Sequence, residues 1–203
     1  MNGDEALPGN GREVYNMETT ENLAWQEVNC EHIVRDEWID FRKSTYKMPN
    51  GKISGPYYSY SRKNYAIIVA MTEDDHYICV RQFRQGIRQV TTEFCAGCIE
   101  CVDGVPEEAL SAAKRELLEE TGYGSDDWCH MLTVPSNATL ADNYMSIFVA
   151  KNCQKMNSQQ DLDDDEFLNV CLYSRSELDE MIKNGAFLQA SHILALLMAD
   201  QCD

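Results

Sequence analysis

The feature that most constrains this chain is an acidic segment at residues 115–123, which reads Arg-Glu-Leu-Leu-Glu-Glu-Thr-Gly-Tyr. On a helix, Glu116 and Glu120 lie one turn apart on one face, and Glu119 lies beside Glu116 at the three-residue spacing. Partly buried carboxylates about 4 Å apart repel by roughly 4 kcal/mol at an effective dielectric of ~20, and a divalent cation reverses that sign. On a solvated helix surface, the alternative interpretation, such a pair costs only ~0.2–0.5 kcal/mol.

The flanking residues predict one helix from Val105 to Gly122. Pro106 suits the first helical position, and Gly122 suits a left-handed stop. Apolar residues recur at helical spacing and leave the glutamates on an adjoining flank, so the helix packs on a core through Ala109, Leu110, Ala113 and Leu117. Because all the ligands on offer are oxygens, the expected ion is Mg²⁺, with Mn²⁺ as the alternative.

This segment resembles the Nudix box, in which a glycine and a glutamate precede the pattern Arg-Glu-apolar-x-Glu-Glu-x-Gly-apolar. Glu107 lies seven intervening residues before Arg115, as the pattern asks. Cys101 stands at the glycine position, and Gly97, four residues earlier, is identified as the family glycine. We therefore expect an insertion of about four residues between Gly97 and the helix, within residues 101–105.

The resemblance covers roughly residues 25–200 and is closest to the ADP-ribose pyrophosphatase subgroup. Residues 80–84 resemble a strand of that subgroup, and residues 92–97 resemble its Glu-x-Pro-Ala-Gly loop, with Cys95 in place of the proline. The resemblance implies that the Ala96 carbonyl ligates metal beside Glu116 and Glu120. It also implies that two residues of this region lie close to the substrate, namely Arg84 and Glu93.

An accessory sheet is expected upstream, because residues 25–60 hold short runs rich in aromatic and β-branched residues, broken by Pro-Asn-Gly and Gly-Pro turns. In the resembled subgroup this region forms a dimer surface and carries an aromatic that stacks on the base. Trp38 and Trp25 are the candidates here, with ordinary packing as the alternative for each.

A second acidic run occupies residues 161–166. A calcium loop is excluded, since Glu166 stands where glycine is required and Leu172 stands where the closing glutamate is required. By the resemblance, Glu166 matches a metal-side glutamate of a flexible acidic loop. Asp164 falls at the position of the catalytic base, with the two neighbouring aspartates as alternatives.

Nine cysteines invite a different hypothesis, because Cys95-x-x-Cys98-x-x-Cys101 has iron–sulfur ligand spacing and Cys129-His130 offers zinc ligands. The fourth ferredoxin cysteine is missing, since Val105 stands in its place. We favour reduced thiols that pack as small hydrophobic side chains.

The predicted fold class is α/β: a Nudix-type α/β/α sandwich with a mixed sheet, plus an N-terminal antiparallel β region. Residues 1–23 are predicted to be disordered, residues 24–62 form the accessory region, and residues 63–203 form the Nudix domain. A capping box at Ser174 and Glu177 starts a helix that ends at Gly185, and a last helix spans about residues 188–200.

The amino-acid composition limits the classes of partner that the chain is expected to bind. A formal charge of −17 disfavours free nucleic acid and anionic membranes as partners. No apolar run of ~20 residues and no signal-peptide core is visible, so we expect a cytoplasmic protein, and the resemblance implies a homodimer.

The predicted function is Mg²⁺-dependent hydrolysis of ADP-ribose or a related nucleoside diphosphate sugar. Asp164 is the expected base, and Glu119 is expected to help either to ligate the metal or to deprotonate water. Arg115 is expected to hold a box glutamate in position. The alternative is a Nudix-fold sensor that binds nucleotide without turnover. The displaced box glycine and the replaced proline keep that alternative open.

Overall fold

A computed structural model of the chain describes residues 22–162 and 166–202. Its first element is a three-stranded antiparallel sheet in the order β1-β2-β3, which confirms the predicted N-terminal β region. The strands are β1 (Gln26–Arg35), β2 (Asp40–Lys47) and β3 (Ile53–Ser61). The predicted disorder of residues 1–23 falls almost wholly outside the described residues.

The central element is a seven-stranded mixed sheet in the order β10-β11-β4-β6-β5-β12, with β9 paired to β11. Only β11 and β4 run parallel, and the other pairings are antiparallel. The strands are β4 (Tyr65–Thr72), β5 (Tyr77–Arg84), β6 (Gln89–Cys98), β9 (Tyr123–Gly124), β10 (Asp127–Pro135), β11 (Tyr144–Lys155) and β12 (Leu168–Tyr173).

Helices cover both faces of this sheet, so the predicted α/β/α sandwich is confirmed. The helices are α1 (Ala109–Thr121), α2 (Arg175–Asn184) and α3 (Ala190–Ala199). Strand β4 shows the layering, since side chains alternate between faces along a strand. Ile68 packs with Leu117 of α1 in one core, whereas Ile67 packs with Leu178 of α2 and Leu196 of α3 in the other.

The predicted start of the acidic helix at Val105 is wrong. Two short strands, β7 (Cys101–Val102) and β8 (Val105–Pro106), form a hairpin there instead. Asp103 and Gly104 both have positive φ, 54° and 80°, which is the backbone of a tight two-residue hairpin turn. The residues of the expected insertion, 101–105, lie in this hairpin. Helix α1 begins after Glu108, whose carboxylate accepts from the Ser111 N–H at 2.9 Å.

The expected loop at residues 92–97 is also wrong, because these residues belong to β6. Cys95 lies opposite Ile68 of β4, and Phe94 lies opposite Cys79 of β5. A proline has no N–H to pair in such a ladder, whereas Cys95 has one. The other helical predictions agree with the structure, including both halves of the Ser174–Glu177 capping box and left-handed Gly185.

The accessory sheet is joined to the central domain at Asp142. Its carboxylate accepts from Arg42 at 2.8 Å and from Ser61 at 2.6 Å, and the backbone of Tyr60 bonds to that of Leu140. Of the helices in the described residues, none has both the length and the apolar character needed to cross a bilayer.

Candidate active site

Three carboxylates converge where α1 meets the start of β12. Glu116, Glu120 and Glu166 each offer an oxygen, and these oxygens all lie within 4.8 Å of one another. Within residues 22–162 and 166–202, no other three His, Cys, Asp or Glu side chains come this close. The helical spacing in the sequence therefore predicted the first two members, and the acidic run supplied the third.

Burial makes this cluster unfavourable without a cation. Glu116 is 9% exposed and Glu120 is 3% exposed. Burial raises the pKa of Glu116 to about 7, against the opposing effect of Arg115, and raises the pKa of Glu120 to about 8. The Oε2 atom of Glu120 is buried and has no hydrogen-bond partner. An all-oxygen cluster with an unsatisfied buried oxygen fits a hard divalent ion.

Gly97 allows β6 to pass directly over Glu116. A Cβ at Gly97 would lie 1.8 Å from the Glu116 Cδ atom, which no packing tolerates. Only glycine, which has no side chain, allows this close approach, and Gly97 lies four residues before the position that the box pattern gives to its glycine. Its neighbour Ala96 lines the same cleft, which is where the resemblance placed a ligating carbonyl.

Arg115 connects the acidic groups around the cluster. One guanidinium nitrogen donates to Glu116 and Glu119, each at 2.9 Å, and the other donates to Glu107 at 2.8 Å and to the Cys98 carbonyl at 3.3 Å. This fork of charge-assisted bonds holds three box glutamates in fixed orientations. Arg115 thus occupies the bracing position expected from the sequence.

Glu119 lies at the rim of the cluster, with 36% of its side chain exposed. Its backbone carbonyl accepts from the Asp161 N–H at 2.9 Å, which ties the start of the second acidic run to the end of α1. Asp161 and Glu166 both line the cleft. Asp164, the expected base, lies outside the described residues.

The cleft consists of two adjoining hollows. One, of about 850 Å³, includes Glu116, Glu119 and Glu166, and the other, of about 490 Å³, extends towards α3 and the β1–β2 turn. Trp38 lies on that turn, is 65% exposed and lines both hollows. Trp25 lines neither and packs against Tyr46 and Tyr57.

Arg84 also lines both hollows, and it forms an ion pair with Glu93, which is fully buried. Glu93 itself lines neither hollow and lies beneath the cleft. Gln82, Thr91 and Gln189 donate to the same carboxylate. Our sequence reasoning missed these three donors. The hairpin register could have found Gln82 and Thr91, which lie opposite each other, whereas no local signal indicates Gln189.

The cysteines do not gather into the thiolate site considered as an alternative. Cys95 is buried against α1, whereas Cys98 and Cys101 are exposed. All nine cysteines are free thiols.

Comparison with known proteins gives a family match over residues 62–195, to the NUDIX domain. The chain is 29% identical over 175 residues to an ADP-ribose pyrophosphatase of Bacillus subtilis (strain 168), covering 86% of this chain and 92% of that protein. It is 25% identical over 170 residues to a methanol dehydrogenase activator of Bacillus methanolicus, covering 83% and 89%. A crystal structure of an ADP compounds hydrolase superposes with a TM-score of 0.73 at 21% identity, covering 89% of this chain and 95% of that one.

Proposed function

The chain belongs to the Nudix hydrolase family, and from that premise we propose that it hydrolyses the diphosphate bond of ADP-ribose or a related nucleoside diphosphate sugar. The products are a nucleoside monophosphate and a sugar phosphate. The observation that carries the proposal is the buried cluster of Glu116, Glu120 and Glu166 at a cleft, with one carboxylate oxygen unsatisfied. The substrate class is supported by the Bacillus subtilis relative, which is named an ADP-ribose pyrophosphatase.

The proposed cofactor is Mg²⁺, with Mn²⁺ as the alternative ion. Glu116, Glu120, Glu166 and the Ala96 carbonyl are the proposed ligands, all of them oxygen donors. An ion held there supplies positive charge against the diphosphate oxygens and makes water a stronger acid. The carboxylates are already gathered for this purpose, because Arg115 holds Glu116 in place and Gly97 leaves room for it.

The proposed acid–base groups are Glu119 and Asp164. Glu119 is half-exposed at the cleft and is oriented by Arg115, so it can accept a proton from water that enters the cleft. Arg115 itself has both terminal guanidinium nitrogens committed to protein oxygens, which supports a bracing role for it. The role of Asp164 is proposed from its place in the acidic run.

The substrate contacts are proposed at the junction of the two hollows. Arg84 presents a guanidinium there and would pair with an anionic group of the substrate. Glu93, being buried, would act by holding Arg84. Trp38, exposed on its turn, would stack on the base.

We further propose a homodimer in the cytoplasm. The accessory sheet exposes large apolar side chains, which supports a covered surface there: Val28, Ile33, Val34 and Ile53. Nine free cysteines support a reducing compartment. Sedimentation analysis at micromolar concentration tests the dimer, and a monomer across the concentration range contradicts it.

The first experiment is product analysis with a panel of ADP-ribose, sugar nucleotides and dinucleoside polyphosphates, each with Mg²⁺ or Mn²⁺. We expect AMP and ribose 5-phosphate from ADP-ribose. Binding of a panel member without release of any product would favour the sensor over the enzyme.

The second experiment is calorimetric titration of the metal-free protein with Mg²⁺ and Mn²⁺. We expect uptake that is lost in Glu120→Gln and retained in Glu180→Gln, a matched change on the exposed surface of α2. Equal uptake by both variants would place the ion elsewhere and contradict the proposed ligand set.

A further inference from the structure

Glu93 is a fully buried carboxylate with four hydrogen-bond donors. Its Oε1 atom accepts from the Gln82 amide at 2.7 Å and from the Arg84 guanidinium. Its Oε2 atom accepts from the Thr91 hydroxyl at 2.9 Å and from the Gln189 amide. Three of these donors belong to the β5–β6 hairpin, whereas Gln189 comes from a point 96 residues further along the chain. The C-terminal helix therefore contributes to the support of Arg84.

Gln189 is the N-cap residue of α3, a position whose side chain commonly bonds to the first turn of the helix. Its carbonyl accepts from the N–H groups of His192 and Ile193, at 3.1 and 3.0 Å, but its side chain makes no capping bond. Ser, Thr, Asp and Asn are the residues preferred as side-chain N-caps, and glutamine is not among them. The Gln189 amide is instead directed to Glu93.

His192 keeps α3 in register with β6 at the residue next to Glu93. Its ring is buried, and its Nδ1 atom accepts from the Phe94 N–H at 3.2 Å. Burial lowers the pKa of His192 to about 3, so the ring is neutral and retains the lone pair that accepts this bond. Phe94 also packs edge-on against Phe187, with ring centroids 5.2 Å apart. The position from which Gln189 reaches Glu93 is thus rigid.

Arg84 is the group whose orientation depends on this arrangement. One of its terminal nitrogens is committed to Glu93, its Nε atom is buried without a partner, and 36% of its side chain faces the cleft. We propose that Gln189 is a positioning residue: it holds the Glu93 carboxylate and, through it, orients Arg84 towards the anionic part of the substrate. The identity of that substrate rests on the proposed function.

Without the Gln189 amide, the Glu93 Oε2 atom keeps only the Thr91 hydroxyl. A buried carboxylate that loses a donor rotates towards whatever donors remain, because an unsatisfied oxygen is costly. Rotation of Glu93 would release or displace Arg84. The loss should therefore appear in substrate binding and not in the chemical step, since Glu119 and the carboxylate cluster lie on other elements.

The first test is a double-mutant cycle between Gln189→Ala and Arg84→Ala, with kinetics on the preferred panel substrate. We expect Gln189→Ala to raise KM about tenfold, with kcat within about threefold. In the Arg84→Ala background, the same change should raise KM less than about twofold, because the two residues act as a unit. Equal effects in both backgrounds would overturn the proposal, since a direct substrate contact or a merely structural role gives additivity.

Two further variants support the cycle. Gln189→Met keeps the side-chain volume without the donor, so it should reproduce the KM effect of Gln189→Ala even if the alanine variant folds poorly. Gln201→Ala changes an exposed glutamine just past the other end of α3, and it should leave KM and kcat unchanged. A Gln189→Met enzyme with the wild-type KM would overturn the proposal.

The second test needs no substrate, so it separates this proposal from the proposed function. We expect ¹⁵N relaxation of the Arg84 Nε–H group to report an ordered side chain in the wild type and in Gln201→Ala, and a lower order parameter in Gln189→Met. An Arg84 that stays equally ordered in Gln189→Met would overturn the proposal. If the wild type cleaves nothing in the panel, the proposed function fails while this measurement still decides the role of Gln189.

Discussion

Two buried carboxylate sites in this protein have opposite surroundings. Glu93 is fully buried, and four donors from three elements satisfy its two oxygens. Glu120, 3% exposed, has an oxygen without any hydrogen-bond partner and two other carboxylates within 4.8 Å. Burial alone therefore does not identify a functional acid.

The two sites differ in whether the buried carboxylate has a full set of hydrogen-bond donors. A buried carboxylate with a full set of donors is complete and serves to hold its partners, here Arg84. A buried carboxylate beside like charges, with an unsatisfied oxygen, is complete only when a cation or a proton is added. The comparison predicts that mutation, pH and metal will affect the stability of the protein differently at the two sites.

The largest expected effect is that of Glu120→Gln. Loss of a metal ligand should lower kcat/KM by more than about 100-fold, beyond the effect typical of residues that only support ligands. Above about pH 8, where Glu120 is ionised in the folded metal-free wild type, the metal-free variant should nevertheless melt at a higher temperature than the wild type, because a neutral amide replaces an unsatisfied buried charge. Activity assays measure the first effect, and thermal melts in EDTA measure the second. A variant with the wild-type kcat/KM would show that Glu120 is not a metal ligand of the active site.

Gly97→Ala should perturb the same cluster without removing a carboxylate. The added methyl would lie 1.8 Å from the Glu116 Cδ atom, so either the strand or the carboxylate must move. We expect a loss of about 100-fold in kcat/KM, since a displacement of about 1 Å at such a site has that effect. Gly86→Ala, where a Cβ meets nothing within 4 Å, is the matched control. If both variants are equally active, the close approach of β6 has no functional role.

The dependence of stability on pH should also distinguish the two carboxylate sites. In metal-free protein the pKa values of Glu116 and Glu120 are raised from 4.5 to about 7 and about 8. Between about pH 4.5 and pH 8 the folded state therefore binds protons that the unfolded state has released, and stability falls as pH rises. The melting temperature in EDTA should drop by about 10 °C or more over this window.

Saturating Mg²⁺ should flatten this decline of the melting temperature with pH, because the bound ion replaces the protons. Glu120→Gln should make the decline in EDTA smaller, because one of the two titrating carboxylates is gone. Melts at several pH values, with and without Mg²⁺, measure both effects. A decline of equal size in the wild type and in Glu120→Gln would show that the cluster does not cause it.

The smallest expected effect is that of Glu93→Gln, which should reduce stability at every pH and with or without metal. It breaks a buried ion pair and leaves Arg84 without its partner; since Arg84 is partly exposed, we expect a loss of about 2 kcal/mol in unfolding free energy. Urea denaturation measures it. A stabilised Glu93→Gln protein would contradict the distinction between the two sites.

Much of the site was predictable because its signals are local. Glu116 and Glu120 are four residues apart on a helix, so their convergence follows from helical geometry. The left-handed stop at Gly122 and the capping box at Ser174 and Glu177 are likewise short-range patterns, and the structure has all of them. The helix start was missed because Pro106 suits a helical first turn and a strand end equally well, and only the pairing of Cys101 with Pro106 decided between them.

The amino-acid sequence by itself determined the mixed α/β architecture and the acidic edge of α1, because both follow from the spacing of neighbouring residues. Only the tertiary structure decided that Gly97 lies over Glu116, that Trp38 and not Trp25 reaches the cleft, and that Gln189 bonds to Glu93. The contact of Gly97 with Glu116 and that of Gln189 with Glu93 join residues 19 and 96 positions apart in the chain. Sheet register and helix packing determine both contacts, and they also determine which of the two tryptophans lies at the cleft. Such distances depend on how the whole core closes, which no local periodicity encodes.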